Sequence, residues 1–165
     1  MRNKKVLFIV QAAMIAAIYV VLTYFVSAFN LASGAIQVRI SEALTVLPFF
    51  TPAAIPGLAI GCLISNLLTG CLPMDVVFGS LATLLGAVGT YLLRKKKWLV
   101  PIPPIVANTL IVPFVLAYVY GAEGTIPFFM LTVGIGEVIS CYVLGMILLN
   151  ALNQYRNVIF NNEVK

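Results

Sequence analysis

One carboxylate lies far inside an apolar stretch of this sequence. Glu137 comes about eleven residues into an apolar run at 126–150, which is roughly 16 Å along a helix at about 1.5 Å per residue. A charge at that depth in a bilayer costs several kcal/mol unless it is paired or solvated, so such residues usually mark a functional site. We therefore take Glu137 as the first candidate for ligand binding or proton transfer.

Five further polar side chains interrupt apolar stretches, and each has two readings. Arg39 and Glu42 are three residues apart, so they either form a mutual ion pair or contribute to a site. Asp75 either binds ligand or simply matches the positive end of a helix, and the second role is favoured. Asn66 and Asn108 either contact a ligand or form hydrogen bonds between helices.

Two overlapping pairs of small residues lie near the amino terminus. Ala12 and Ala16, and Ala13 and Ala17, are each four residues apart and therefore share a helix face. Such a strip allows another helix backbone to approach closely. The partner is either a second protein or a helix of the same chain, and the pattern alone leaves both open.

Histidine and the common sequence motifs of catalysis and of metal or cofactor binding are missing. The chain has no histidine, so it lacks the usual neutral-pH acid–base group and the commonest metal ligand. It carries no phosphate-binding loop of the P-loop type and no hydrolase motif. The three cysteines form no C-x-x-C pair and are interpreted as small packing residues. The sequence predicts a chain without catalytic activity, metal or cofactor of its own.

The elements that must position these residues are membrane helices. Of the 165 residues, 62% are hydrophobic and 9% are charged, which is expected in lipid and would leave large sticky patches in water. The net charge of +5 is not read as nucleic-acid binding, because the basic residues flank the apolar runs. We predict a single all-α integral membrane domain over 1–165 with six transmembrane helices, at roughly 6–27, 36–50, 53–68, 75–93, 98–120 and 126–150.

The basic clusters predict the orientation of these helices. Nine of the ten Lys and Arg residues fall at the amino terminus, at 94–97 and in the carboxyl-terminal tail. Six spans starting in the cytoplasm put all three clusters inside and leave Arg39 as the one basic residue outside. With both termini cytoplasmic, most of the polar candidates fall in the outer half of the membrane. The sequence thus predicts one pocket that opens outward.

Five segments of the chain carry a recognisable pattern, at 37–48, 52–58, 61–66, 75–84 and 134–137. The first of them contains the block Arg-Ile-Ser-Glu-Ala at 39–43. These segments resemble the QueT family, whose members are substrate-binding S components of energy-coupling factor (ECF) transporters. The resemblance covers nearly the whole chain, and the block at 39–43 is its most specific part.

The resemblance implies a six-helix S-component bundle in a bacterial plasma membrane. Such a protein would bind a micronutrient from outside and dock through the alanine face of its first helix, here Ala12, Ala13, Ala16 and Ala17. Its partners would be a transmembrane coupling protein and two ATPase subunits, which would use the ATP.

The resemblance also implies a queuosine precursor as substrate, which is a 7-deazaguanine such as preQ1, preQ0 or queuine. A guanine-type edge offers two parallel N–H donors, which a carboxylate accepts in bidentate fashion. Glu137 or Glu42 would take this role, while Asn66 or Asn108 would read the carbonyl oxygen. A second carboxylate, Glu42 or Asp75, would suit an aminomethyl cation. Tyr142 could stack on the ring, although packing against lipid or core is the commoner role for one aromatic residue.

Two alternatives remain open at this point. The chain could be an S component for another vitamin or micronutrient. It could also be an ion-coupled membrane carrier that uses Glu137 as a proton group. Proton relays usually show chains of acidic residues or histidines, so the isolated acids of this sequence disfavour the carrier.

Overall fold

The structure is a computed structural model that describes residues 4–28 and 38–159, and in this part of the chain it is helical with no strand. The first helix, α1, spans Lys4–Ala28, and a 3-10 helix follows at Ile40–Phe49. The remaining elements are α2 (Ala54–Leu68), α3 (Pro73–Leu93), a short 3-10 turn (Lys97–Leu99), α4 (Ile102–Tyr118), α5 (Ile126–Glu137), a π helix (Val138–Leu144), α6 (Gly145–Gln154) and α7 (Arg156–Ile159).

Six apolar helical stretches occupy the six positions predicted from hydropathy. By length and composition four of them can cross a membrane, namely Lys4–Ala28, Pro73–Leu93, Lys97–Tyr118 and Ile126–Gln154. The other two, Ile40–Phe49 and Ala54–Leu68, are shorter. Large apolar side chains stay exposed along the long helices, such as Val21 at 65% and Leu92 at 71%. This apolar exterior, with polar groups inside, is the arrangement that lipid requires.

The second predicted helix differs from expectation in type and start. It was expected over 36–50, whereas the described helix begins at Ile40 and is a 3-10 helix, and residues 36 and 37 lie outside the described residues. At about 2.0 Å per residue, ten residues reach about 20 Å, further than an α-helix of equal length. Pro48 lies inside it, where an α-helix would suffer a clash with the carbonyl four residues earlier. The helix ends before Thr51-Pro52, as predicted.

The sixth predicted helix is continuous but changes its winding at Glu137. After α5, a π helix with wider turns runs from Val138 to Leu144, and the Gly145 N–H donates to the Ser140 carbonyl five residues earlier. A Cβ at Gly145 would lie 2.9 Å from Val46, so the missing side chain lets the 3-10 helix pack closely here. The two irregular helices therefore lie side by side.

Glycine and alanine surfaces bring α1 against α2. A Cβ at Gly57 would lie 2.7 Å from the Ala12 carbonyl, and one at Gly61 would lie 3.1 Å from the Ala16 Cα. Only glycine at these positions permits the two backbones to approach so closely. Tyr19 also packs against Gly61, and its ring is buried inside the molecule.

Candidate functional site

The centre of the molecule holds two carboxylates and a thiol from separate helices. Glu42 comes from the 3-10 helix, while Glu137 ends α5 and Cys141 lies in the π helix. One oxygen of each carboxylate and the Cys141 Sγ lie within 4.8 Å of one another. Glu42 is 1% exposed and Glu137 is 7% exposed. We call these three residues the carboxylate cluster.

The 3-10 winding explains how Glu42 meets the π helix. Side chains three residues apart line up on a 3-10 helix, so Thr45 lies on the same side as Glu42. The Thr45 hydroxyl donates to the Glu42 carbonyl at 2.6 Å and lies 3.5 Å from the Cys141 Sγ. The Cys141 thiol donates to Glu137 Oε2 at 3.1 Å. The backbone N–H of Arg39 donates to Ser140 Oγ at 3.1 Å, which ties the start of the 3-10 helix to the π helix.

Tyr19 is a site residue that the sequence analysis missed. Its hydroxyl donates to Glu42 Oε1, whereas Glu42 Oε2 is buried and has no hydrogen-bond partner among the described residues. A tyrosine within an apolar helix attracts no notice by itself. Its spacing from Ala16 gave a usable signal, because residues three apart share a face and Ala16 was already expected to pack against another helix.

The sequence analysis left open an ion pair between Arg39 and Glu42, but another residue donates the hydrogen bond to the Glu42 carboxylate. The described hydrogen-bond donor to its carboxylate is Tyr19, and no hydrogen bond from Arg39 reaches the free Oε2. Arg39 still interacts electrostatically with both Glu42 and Glu137. The arginine therefore acts on the carboxylate cluster through its charge.

The two asparagines lie beside this polar interior. Asn108 on α4 is buried and interacts with both Glu42 and Glu137. Asn66 on α2 is also buried, and its Nδ2 lies 3.6 Å from the Cys62 Sγ. Cys62 in turn interacts electrostatically with Glu42.

A second polar group forms where the loop after α2 meets the loop after α4. Asp75, in the first turn of α3, accepts a hydrogen bond at 2.7 Å from Tyr120, whose hydroxyl also accepts one at 3.3 Å from the Leu72 N–H. A Cβ at Gly79 would lie 3.0 Å from Asn66 Nδ2 and 3.5 Å from Asp75 Oδ1, so these two side chains converge there. Partial desolvation and the hydrogen bond to Asp75 raise the pKa of Tyr120 above its ordinary value.

Tyr142 has a different environment from the other predicted site residues. It is half-buried and packs against the hydrophobic core, a cluster that includes Leu44, Val46 and Leu149. Its described contacts are with this core, whereas Tyr19 reaches the carboxylate directly. Stacking of Tyr142 on a ligand stays a prediction.

The four alanines of α1 divide between two faces. Ala16 is buried and Ala12 is half-buried, because both contact the glycines of α2. Ala13 and Ala17 are exposed on the neighbouring face. One pair therefore packs within the chain, and the other pair is left for contact with lipid or another protein.

The carboxylate cluster offers hydrogen-bond acceptors and negative charge to a bound ligand. Two carboxylates and nearby amides can bind N–H groups of a ligand, and the charges strengthen such bonds. The carboxylate cluster also has the spacing of a metal site. Its mixture of hard carboxylates and a soft thiol matches neither Mg²⁺ nor Ca²⁺, although Zn²⁺ accepts both kinds of ligand. The expectation of no metal stays a prediction.

Comparison with known proteins relates this sequence to a family. The chain is 40% identical over 84 residues to the queuosine precursor transporter QueT of Lactococcus lactis subsp. cremoris (strain MG1363). The aligned segment covers 51% of the chain and 49% of that protein. The match thus spans about half the length of this relative. No solved structure matches the chain. The family model described as QueT transporter matches residues 9–154, from α1 to the end of α6, and the chain therefore belongs to the QueT transporter family.

Proposed function

We propose that this chain is the substrate-binding S component of an ECF-type ABC transporter and captures a queuosine precursor. One observation carries the proposal: in a member of the QueT family, Glu42, Glu137 and Asn108 converge from three helices on one buried place. Buried charge of this kind is costly in a membrane unless it binds something.

The chemistry of a 7-deazaguanine fits these groups. Its ring N–H and exocyclic amine need acceptors, and the described residues offer three buried carboxylates, those of Glu42, Asp75 and Glu137. Its carbonyl oxygen needs a donor, which the amide of Asn108 or Asn66 provides. Because a site built from such groups leaves them unpaired when a ligand lacks the matching atoms, it discriminates strongly against other ring systems.

The protein is oriented with both termini in the cytoplasm of a bacterium and the site open to the outside. The support for this part of the proposal is the charge pattern. The basic segment 94–97 lies between α3 and α4, on the same side as the termini if the helices alternate across the bilayer. Arg94, Lys95 and Lys96 are exposed, as cytoplasmic residues near a membrane surface should be.

The partner is an energising module of a transmembrane coupling protein and two ATPases, which hydrolyse the ATP. Ala13 and Ala17 form the docking surface on this chain, because they are small, exposed and four residues apart on α1. Ala12 and Ala16 would support docking indirectly, by fixing α1 against α2.

Ligand binding to the purified chain tests the proposed function. The full-length protein in detergent or nanodiscs is titrated with 7-deazaguanines and, in parallel, with thiamine, biotin and riboflavin. We expect tight binding of a 7-deazaguanine alone. Preference for one of the vitamins would make the chain an S component for that vitamin and overturn the substrate assignment.

An ion-coupled carrier is the second candidate, and one observation favours it. Glu42 and Glu137 are neighbours in the folded chain, so the acids that looked isolated in the sequence form a pair capable of sharing a proton. The two candidates differ in what drives uptake. An S component imports substrate only when the ATPase module is present, whereas a carrier works alone and stops when a protonophore removes the proton gradient.

A further inference from the structure

The two carboxylates of the cluster are too close to remain uncompensated. One oxygen of Glu42 and one of Glu137 lie within 4.8 Å, and both residues are buried. Like charges at such a distance repel strongly where water is scarce. A positive charge or a shared proton is therefore needed to balance them.

The protein itself supplies part of that balance. Arg39 interacts with both carboxylates, so two negative charges face one positive charge. With both carboxylates ionised, one negative charge is in excess. Glu42 Oε2 is also left without a hydrogen-bond partner among the described residues, although a buried carboxylate oxygen is normally satisfied. The site thus lacks both a charge and a donor.

An ammonium group would supply both the missing charge and the missing donor. A tetrahedral ammonium that donates to two carboxylate oxygens at about 2.8 Å each holds those oxygens about 4.6 Å apart. One oxygen of Glu42 and one of Glu137 lie no more than 4.8 Å apart, which is compatible with this separation. We infer that Glu42 and Glu137 together bind one ammonium nitrogen of the ligand, and that the chain therefore selects a positively charged 7-deazaguanine over a neutral one. This inference rests on the proposed function and adds charge selection within the same substrate class.

Neutral relatives of the ligand fail at this position for a simple reason. A nitrile carries no N–H and presents a lone pair to the carboxylates. A hydroxymethyl group has nearly the size of an aminomethyl group but offers a single neutral donor. Each would leave the excess charge unbalanced, and the loss of a charged partner in a buried site weakens binding far more than the loss of a methylene does.

A comparison of three ligands on the unmodified full-length chain tests the inference. Isothermal titration measures binding of 7-aminomethyl-, 7-hydroxymethyl- and 7-cyano-7-deazaguanine at neutral pH and fixed salt. We expect the aminomethyl compound to bind at least about 100-fold more tightly than either neutral compound, since each tenfold step corresponds to about 1.4 kcal/mol. This comparison needs no variant and so does not depend on a mutant folding correctly.

The variant Glu42→Gln tests the assignment to the carboxylate pair. It keeps the shape of the side chain and removes one negative charge, so the preference for the aminomethyl compound should fall to within about fivefold. Glu123→Gln makes the same change at an exposed loop position and should keep the full preference.

The possible failures are distinguishable. If none of the three compounds binds, the proposed function is wrong. If all three bind with similar affinity, the proposed function stands and the ammonium site is wrong. If a chelator abolishes binding of every ligand and added Zn²⁺ restores it, the carboxylate cluster holds a metal and the inference is overturned.

Discussion

The hydrogen bond from Tyr19 to Glu42 should be among the most sensitive contacts in the chain. Tyr19→Phe removes the hydroxyl that donates to Glu42 Oε1, and Oε2 has no partner among the described residues, so the buried carboxylate would keep only its interactions with Asn108 and Arg39. A hydrogen bond to a charged group contributes about 1.5–3 kcal/mol to stability. For a chain of this size, that loss lowers the melting temperature by about 3–12 °C.

The matched control lies on the same helix. Tyr24 is 61% exposed, so Tyr24→Phe removes an equivalent hydroxyl from the surface of α1 and should shift the melting temperature by about 1 °C or less. Both variants are compared by thermal unfolding of the ligand-free protein in one detergent. The affinity for a 7-deazaguanine should also fall by about tenfold or more in Tyr19→Phe, because Glu42 loses the contact that orients it. Equal melting temperatures for the two variants would refute the structural role of Tyr19.

Three further predictions concern packing, docking and the loop between α2 and α3. Gly57→Ala should lower the melting temperature, because the new Cβ would lie 2.7 Å from a backbone oxygen of α1 and such overpacking costs about 1–3 kcal/mol. Gly134→Ala should leave the melting temperature unchanged, because its Cβ would lie 3.6 Å from its nearest neighbour, and equal stability of the two variants would refute the close α1–α2 contact. Ala13→Trp should leave ligand binding unchanged and abolish uptake by the complete transporter, while Ala28→Trp at the far end of α1 should leave both unchanged. Normal uptake by the Ala13→Trp variant would exclude the Ala13 face of α1 from docking. Tyr120→Phe should speed amide hydrogen exchange in the loop between α2 and α3, and unchanged exchange would show that its 2.7 Å hydrogen bond does not hold that loop.

The positions of the helices could be predicted because hydropathy alone determines them. Apolar runs long enough to cross lipid leave few alternatives, and Pro52 marked the end of the second helix. The type of helix could not be predicted in the same way. The 3-10 winding around Glu42 and the π winding after Glu137 depend on contacts between the two segments, such as that of Gly145 with Val46, which are about a hundred residues apart in sequence.

The candidate site was predictable only in outline. Polar residues in an apolar sequence are few, so Glu42, Glu137 and Asn108 stood out, and topology suggested that the two glutamates meet. Tyr19 did not stand out, because its role depends on how closely the α1 backbone approaches the glycines of α2. The same contact determines which alanine pair faces the interior. The sequence could not distinguish the two pairs, because both have a spacing of four residues.

The central claim is that a buried pair of acids captures the ligand, and Glu137→Gln tests it most directly. Titration of the purified variant with 7-aminomethyl-7-deazaguanine should show a loss of affinity of at least about 100-fold relative to the unmodified chain, because the substitution removes a buried charge that the ligand must balance. Binding of that ligand to the Glu137→Gln variant with unchanged affinity would contradict the account.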